Sequence, residues 1–239
     1  MRVLSMKLCA CSIKNFAFLL ICMFSCFSNA AFVLNGTRFI YPEGEDGLAV
    51  QVDNNSKSDY AGQAWIENKD GGEKVSFVSL PSFFEIKSEE SQLLRIIKLT
   101  DQLPQDRESL FWLNVQEIPK VDKSTANKMI VAINTRVKLL YRPKDLLESR
   151  KNAEKKILYY LNRDDGHLYL KNPTGYYFAI QSIKHLDSEF SSSLESGIFA
   201  PFSEIKLPKL NKIPSYLIVD SIDDYGAVNS FVVNEDVRN

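Results

Sequence analysis

Met129-Ile130-Val131-Ala132-Ile133-Asn134-Thr135-Arg136-Val137-Lys138-Leu139-Leu140-Tyr141 is the stretch whose reading decides the fold. Apolar residues alternate through its first half, so Met129, Val131 and Ile133 share one face by the two-residue period of a strand. Thirteen residues at about 3.3 Å each span roughly 40 Å, whereas ordinary strands are about half that length or less. Arg142-Pro143-Lys144 follows. The proline removes a ladder donor and ends the strand.

Shorter runs of the same kind flank this one. Leu48–Val52, Ala64–Ile66, Phe77–Leu80, Leu93–Leu99 and Leu110–Val115 precede it, separated by turn-forming pieces such as Asp53-Asn54-Asn55-Ser56 and Asn68-Lys69-Asp70-Gly71-Gly72. Ile157–Leu161, His167–Lys171, Tyr177–Leu186, Ile198–Phe199, Tyr216–Val219 and Val228–Val233 come after it. Short β-rich runs at regular intervals between turns predict antiparallel sandwiches. The charged segment Asp145–Lys156 predicts a short helix between two of them. The reading is therefore all-β, with a first domain over 31–143 and a second, smaller one over 144–239.

The first thirty residues differ from the rest. Arg2, Lys7 and Lys14 give a basic start, Phe16–Phe27 is a continuous apolar run, and Ser28-Asn29-Ala30 supplies small residues before a cut. This is the layout of a secretory signal peptide. Twelve apolar residues fall short of the ~18 needed to cross a bilayer as a helix. Residues 1–30 are read as a cleaved leader, giving a periplasmic chain that begins at Ala31 and has no stable membrane insertion. All four cysteines, Cys9, Cys11, Cys22 and Cys26, leave with it. So do three basic residues and no acidic one, and 26 basic residues against 30 acidic make the mature charge −4. A cysteine-free secreted chain is held together by its core rather than by bridges. A mild negative charge gives no reason to expect a nucleic-acid partner.

Leu103-Pro104-Gln105-Asp106-Arg107-Glu108-Ser109-Leu110-Phe111-Trp112-Leu113-Asn114-Val115, continued by Glu117-Ile118-Pro119, resembles the signature of the PapD-like periplasmic pilus chaperones. Thr37-Arg38, Gln63–Glu67, Lys138–Pro143, Asn172-Pro173-Thr174 and Asp224-Tyr225-Gly226 fall in that family's order. The resemblance implies two immunoglobulin-like β-sandwich domains in a boomerang arrangement with a crevice between them. It implies a chaperone of the chaperone–usher pathway, which binds pilin subunits by donor-strand complementation and delivers them to an outer-membrane usher. Lending a strand to an incomplete sheet is a known mode of peptide recognition.

Each site residue follows from that resemblance. Met129, Val131 and Ile133 become the donor residues that fill a subunit's open groove. Alternation alone favours three residues facing this protein's own core. Burying them in a partner is worth at most roughly 5–9 kcal/mol before the costs of association. Arg38 and Lys138 resemble the pair that anchors the subunit's C-terminal carboxylate, a role suited to charge-assisted hydrogen bonds. Lys138 has the opposite parity from Ile133, so a twist or bulge between them is expected. Glu108, Arg142 and Asp224 match an interdomain charge cluster. The connection Pro119–Lys128 is about ten residues and carries no cysteine, like the family's short-loop subclass. An exposed apolar edge strand also suggests a self-capping homo-oligomer.

No metal, cofactor or catalytic role is expected. The two histidines, His167 and His185, lie far from any ligand spacing, and no nucleophile-elbow, phosphate-loop or dinucleotide motif occurs. The pairs Asp164-Asp165 and Asp223-Asp224 fall in predicted turns, where turn chemistry accounts for them. A secreted β-sandwich adhesin or structural fimbrial protein is the alternative, since sandwiches host many functions. Such a protein has no need of Arg38, Lys138 and a long alternating strand together.

Overall fold

The computed structural model describes residues 31–69, 71–72, 74–120, 131–184, 191–192, 197–209 and 214–236. The leader, Met129 and His185 lie outside the described residues.

Among the described residues the first domain contains nine strands: β1 Phe32–Leu34, β2 Arg38–Pro42, β3 Leu48–Asn54, β4 Tyr60–Asn68, β5 Phe77–Leu80, β6 Phe83–Ile86, β7 Ser91–Lys98, β8 Ser109–Pro119 and β9 Asn134–Arg142. They form two sheets, ordered β1-β3-β7-β5 and β2-β9-β8-β4-β6. Val50, Val52, Leu94 and Ile96 from one sheet pack with Leu113, Val115, Leu139 and Tyr141 from the other. Each set shows the two-residue period, which is why these sequences form half-buried strands. At Gly62 a Cβ would lie 2.3 Å from the ring of Phe84, its partner on β6 in the same sheet, and 2.8 Å from the Phe32 ring of the other sheet. Only glycine fits there.

The second domain contains β10 Leu158–Leu161, β11 Leu168–Lys171, β12 Phe178–Lys184, β13 Ser191–Ser192, β14 Ile198–Phe199, β15 Glu204–Lys206, β16 Leu217–Ile222 and β17 Val228–Glu235. Their order is β13-β12-β16-β17-β10-β11-β15, with β14 beside β12. Leu158 and Tyr159 pair in parallel with Asn234 and Glu235, so the two halves of this sandwich are joined at one corner. Tyr159, Leu168 and Leu170 meet Phe178, Ile180, Leu217, Val219 and Val233 in one core.

Between the domains lie three 3-10 turns, Lys144–Leu146, Glu148–Arg150 and Ala153–Lys156, instead of the single helix expected from the charges. Asn152, held at φ 57°, breaks the run before the third turn. A left-handed residue cannot continue a right-handed helix.

The decisive strand is shorter than its alternation suggested. Strand β9 begins at Asn134, and Val131–Ile133 is described without strand pairing of its own. The last bond on this side runs from Glu117 N–H to the Ile133 carbonyl, 3.0 Å. Strand β8 then reaches Pro119, which has no N–H to continue the ladder. The register from Gln116↔Asn134 to Ser109↔Tyr141 runs without a shift. The bulge expected between Ile133 and Lys138 is therefore absent, and the two residues do belong to opposite faces.

Candidate functional site

Strand β9 has two different edges. Against β8 it is paired from Asn134 to Tyr141. Against β2 it is paired only from Lys138 onward, where Arg38↔Lys138 opens a parallel ladder ending at Pro42↔Arg142. Among the described residues nothing pairs with Asn134 to Val137 on that side, an open edge that stops where the two basic residues stand. Ile133, Val137, Leu139 and Tyr141 share the parity of the core face, yet Ile133 lies past the end of the sandwich and is exposed. Val131 is 61% and Ile133 42% exposed, so neither is sealed under its own domain.

Arg38, Ile40 and Pro42 on β2 and Lys138, Leu140 and Arg142 on β9 form the opposite face, turned toward the second domain. Leu110 and Leu140 are buried without belonging to the first core. They line one small gap with Tyr177, Ala179 and Ile198. The domains therefore meet through apolar side chains as well as charges.

Above that contact is a cavity of about 350 Å³ lined by Arg38, Lys138, Asn35, Ile222, Asp223, Asp224 and Tyr225. The turn between β16 and β17 forms its far wall. Asp223 Oδ1 accepts the N–H groups of Tyr225 and Ala227, each at 2.9 Å, which fixes the turn and presents Asp224. Arg38 Nη1 donates to the carbonyls of Ile222 at 3.1 Å and Asp223 at 3.3 Å, and lies 3.8 Å from Asp224 Oδ1. Those bonds use one of its nitrogens, and among the described residues the others have no hydrogen-bond partner. Lys138 has no hydrogen-bond or ion-pair partner among the described residues. Burial, reinforced by the neighbouring Arg38 charge, pulls the Lys138 pKa down. Burial also lowers that of Arg38, against the pull of Asp224. Two neighbouring cations, one of them without a partner among the described residues, are chemically able to accept an anion.

Behind the cavity, Arg142 joins the other two predicted residues. Its Nε donates to Glu108 Oε1 at 2.6 Å and its Nη1 to Asp224 Oδ2 at 2.8 Å. Glu108 Oε2 also accepts the Tyr177 N–H at 2.7 Å, so one carboxylate ties both domains. Burial pushes the Glu108 carboxyl up in spite of Arg142. Burial works against the Arg142 charge as well, but Glu108 and Asp224 outweigh it and its pKa is raised. The two short bonds to Glu108 favour the ionised pair. Nearby, the Asn172 side chain accepts from the Thr174 N–H and hydroxyl and donates to the Tyr176 and Ala200 carbonyls. That holds Gly175 against the first domain, where its carbonyl accepts the Glu108 N–H at 2.8 Å. A Cβ at Gly175 would sit 2.6 Å from the Asp106 carbonyl oxygen.

The structure thus brings Arg38 to Lys138 and Glu108 to Arg142 and Asp224, and it leaves Val131 and Ile133 exposed. Two members of the charge network escaped the sequence reading. Arg150 forks onto Glu154 with bonds of 3.0 and 2.8 Å and lies 3.7 Å from Asp224. It also stacks over Tyr176 and Phe178. Their four-residue spacing was visible within the charged segment, but not what they would face.

Two sandwiches bridged by buried ion pairs, with a strand edge open among the described residues that leads to a cavity holding Arg38 and Lys138 opposite Asp223 and Asp224, have the architecture of an immunoglobulin-like binding protein. The comparisons identify its kind. Residues 31–147 match the N-terminal domain model of the PapD pili and flagellar-assembly chaperones, and residues 152–231 match the PapD C-terminal domain model. Chaperone protein FanE of Escherichia coli is 40% identical over 92% of this chain and 97% of its own. FimC of Escherichia coli K12 is 38% identical over 84% of this chain and 83% of its own. The crystal structure of the periplasmic chaperone SfaE superposes with a TM-score of 0.66 at 35% identity, covering 86% of this chain and all of that one. The chain belongs to the PapD-like pilus-assembly chaperones of the chaperone–usher pathway, a family of binding proteins that catalyse no reaction. The adhesin alternative is not favoured.

Proposed function

We propose that this chain receives a pilin subunit along the open edge of β9 and holds the subunit's C-terminal carboxylate between Lys138 and Arg38. The observation that carries the reading is the register: the open edge ends at the Arg38↔Lys138 pair. A strand added there gains main-chain hydrogen bonds, and Val131 and Ile133 are exposed to enter its groove. Met129 would extend that row by one position. A carboxylate at Lys138 offsets the burial and the Arg38 repulsion that lower its pKa and fixes register, since a one-residue slip turns every side chain to the wrong face. The Glu108–Arg142–Asp224 bridge sets the crevice against which the subunit lies. The loaded chaperone then passes its cargo to an outer-membrane usher.

The same reading places the chain in the periplasm after removal of residues 1–30 and the domain junction at Pro143–Lys144. It also assigns the chain to the short-loop subclass and allows a second copy to cap the edge when no subunit is present. Among the described residues no helix is long and apolar enough to cross a membrane. Co-expression with a cognate pilin and capture of the complex tests it. Wild type should bring the pilin down in equal amount, and Arg38→Ala should lose it while staying folded. Equal recovery with Arg38→Ala would count against the anchor.

A further inference from the structure

Glu117 is a buried carboxylate that subunit binding does not use. It is 5% exposed and has the inward parity of Leu113 and Val115 on β8. Its Oε2 accepts the backbone N–H of Ala31 at 3.0 Å and of Phe32 at 3.1 Å. Among the described residues no lysine, arginine or histidine pairs with it. Ala31 is equally sheltered, at 3% exposure, and its carbonyl accepts the Asn55 N–H at 2.9 Å. A buried carboxylate met only by neutral amides is costly unless a cation joins it. One atom of its two donors can become that cation, the Ala31 nitrogen, and it does so when the chain is cut after Ala30.

We propose that Glu117 is the receptor for the mature α-ammonium group of Ala31, so that removal of the leader completes the fold of the first domain. The inference rests on the processing reading above. Hydrolysis of the Ala30–Ala31 bond by a leader peptidase consumes one water. The hydroxyl goes to the Ala30 carbonyl carbon and the hydrogen to the Ala31 nitrogen. The new amine then takes up the proton that the new Ala30 carboxyl group releases. The positive charge appears 3.0 Å from Glu117 Oε2, and its counter-charge leaves with the leader. Before the cut the same position offers only an amide.

Four mature chains test the pairing. Wild type and Glu117→Gln are each made beginning at Ala31 and again with one serine ahead of it, which restores an amide at Ala31. Intact mass and N-terminal sequencing of protein from the periplasm come first. A first residue other than Ala31 overturns the processing reading and this inference together. Urea unfolding then reads the coupling. The added serine should lower the folding equilibrium constant on the order of tenfold in wild type and less than about twofold in Glu117→Gln. Equal losses in both backgrounds, or none in wild type, overturn the inference alone. If Glu117→Gln does not fold, Glu117→Met supplies the uncharged background.

Discussion

Arg38 and Lys138 are Cα partners on adjacent parallel strands, and of the two only Arg38 is already engaged by the second domain. Arg38 spends one nitrogen holding the β16–β17 turn in place, so it both shapes the cavity and remains able to bond within it. Lys138 carries an unspent charge kept in the cavity at some cost.

That cost leads to the first prediction. A lysine whose pKa is lowered on folding is destabilising while protonated, below its folded pKa. The penalty is relieved as pH rises through the folded pKa toward the unfolded value near 10.4. Lys138→Met should therefore leave the free chaperone as stable as wild type or raise its melting temperature by about 1–2 °C. Subunit affinity should fall tenfold or more. Scanning calorimetry and a capture assay read the two effects, and a clear loss of stability would mean that Lys138 is structural.

Subunit binding has its own pH dependence through the same residue. A carboxylate raises the Lys138 pKa in the complex above that of the free chaperone. Affinity should be constant around neutral pH, where the carboxylate is ionised and the lysine charged, and fall once pH rises through the free pKa. Titration calorimetry between about pH 7 and 10 would show it, and the fall should vanish in Lys138→Met.

Arg142 is the hub of the interdomain bridge. Replacing it with methionine leaves Glu108 buried and Asp224 short of a partner, a change that costs about 3–5 kcal/mol. The two domains should also uncouple, giving separate transitions in urea or heat. One unchanged cooperative transition would show that the apolar contact around Leu110 and Leu140 suffices.

Gly175→Ala tests the close approach of the domains. Its Cβ meets backbone at Asp106 rather than a flexible side chain end, so the loop must move. We expect a measurable change in the small-angle scattering profile and weaker subunit capture, with both domains still folded.

Asp220, in the second domain, accepts from Lys184, Ser182 and Ser230. Burial opposes ionisation, but these three donors outweigh it and lower its pKa to about 2. A depressed carboxylate contributes stability that is full above its unfolded pKa of about 3.9 and is lost as pH falls through the folded value. Asp220→Asn should flatten the acid limb of the stability curve between about pH 4 and 2. An unchanged limb would assign that loss to other carboxylates.

Much of this was legible in residue patterns, because one face of most strands is core and the other solvent. Legibility failed where both faces are covered. In Arg38–Pro42, Phe39 and Tyr41 face the core while Arg38, Ile40 and Pro42 face the second domain, so no polar alternation marks β2. Leu139–Arg142 is continuously buried for the same reason. The strand through Met129–Tyr141 misled in the opposite direction. Its alternation continues past the point where Pro119 ends its neighbour, so periodicity overstated the paired length. Arg150, Glu154 and Gly175 owe their roles to contacts between domains, which no local pattern encodes.

Backbone direction supplies the most direct measurement. The Lys138 N–H points to the Thr37 carbonyl, just ahead of β2 and 3.4 Å away, and the Ile133 carbonyl points to β8. By alternation the N–H groups of Asn134 and Arg136 point into the open edge, while those of Thr135 and Val137 point to β8. Hydrogen exchange resolved to single residues should find Asn134 and Arg136 fast in the free chaperone and strongly slowed with a pilin bound, with Thr135 and Val137 slow in both. Asn134 and Arg136 exchanging equally fast with and without bound pilin would contradict strand addition along β9.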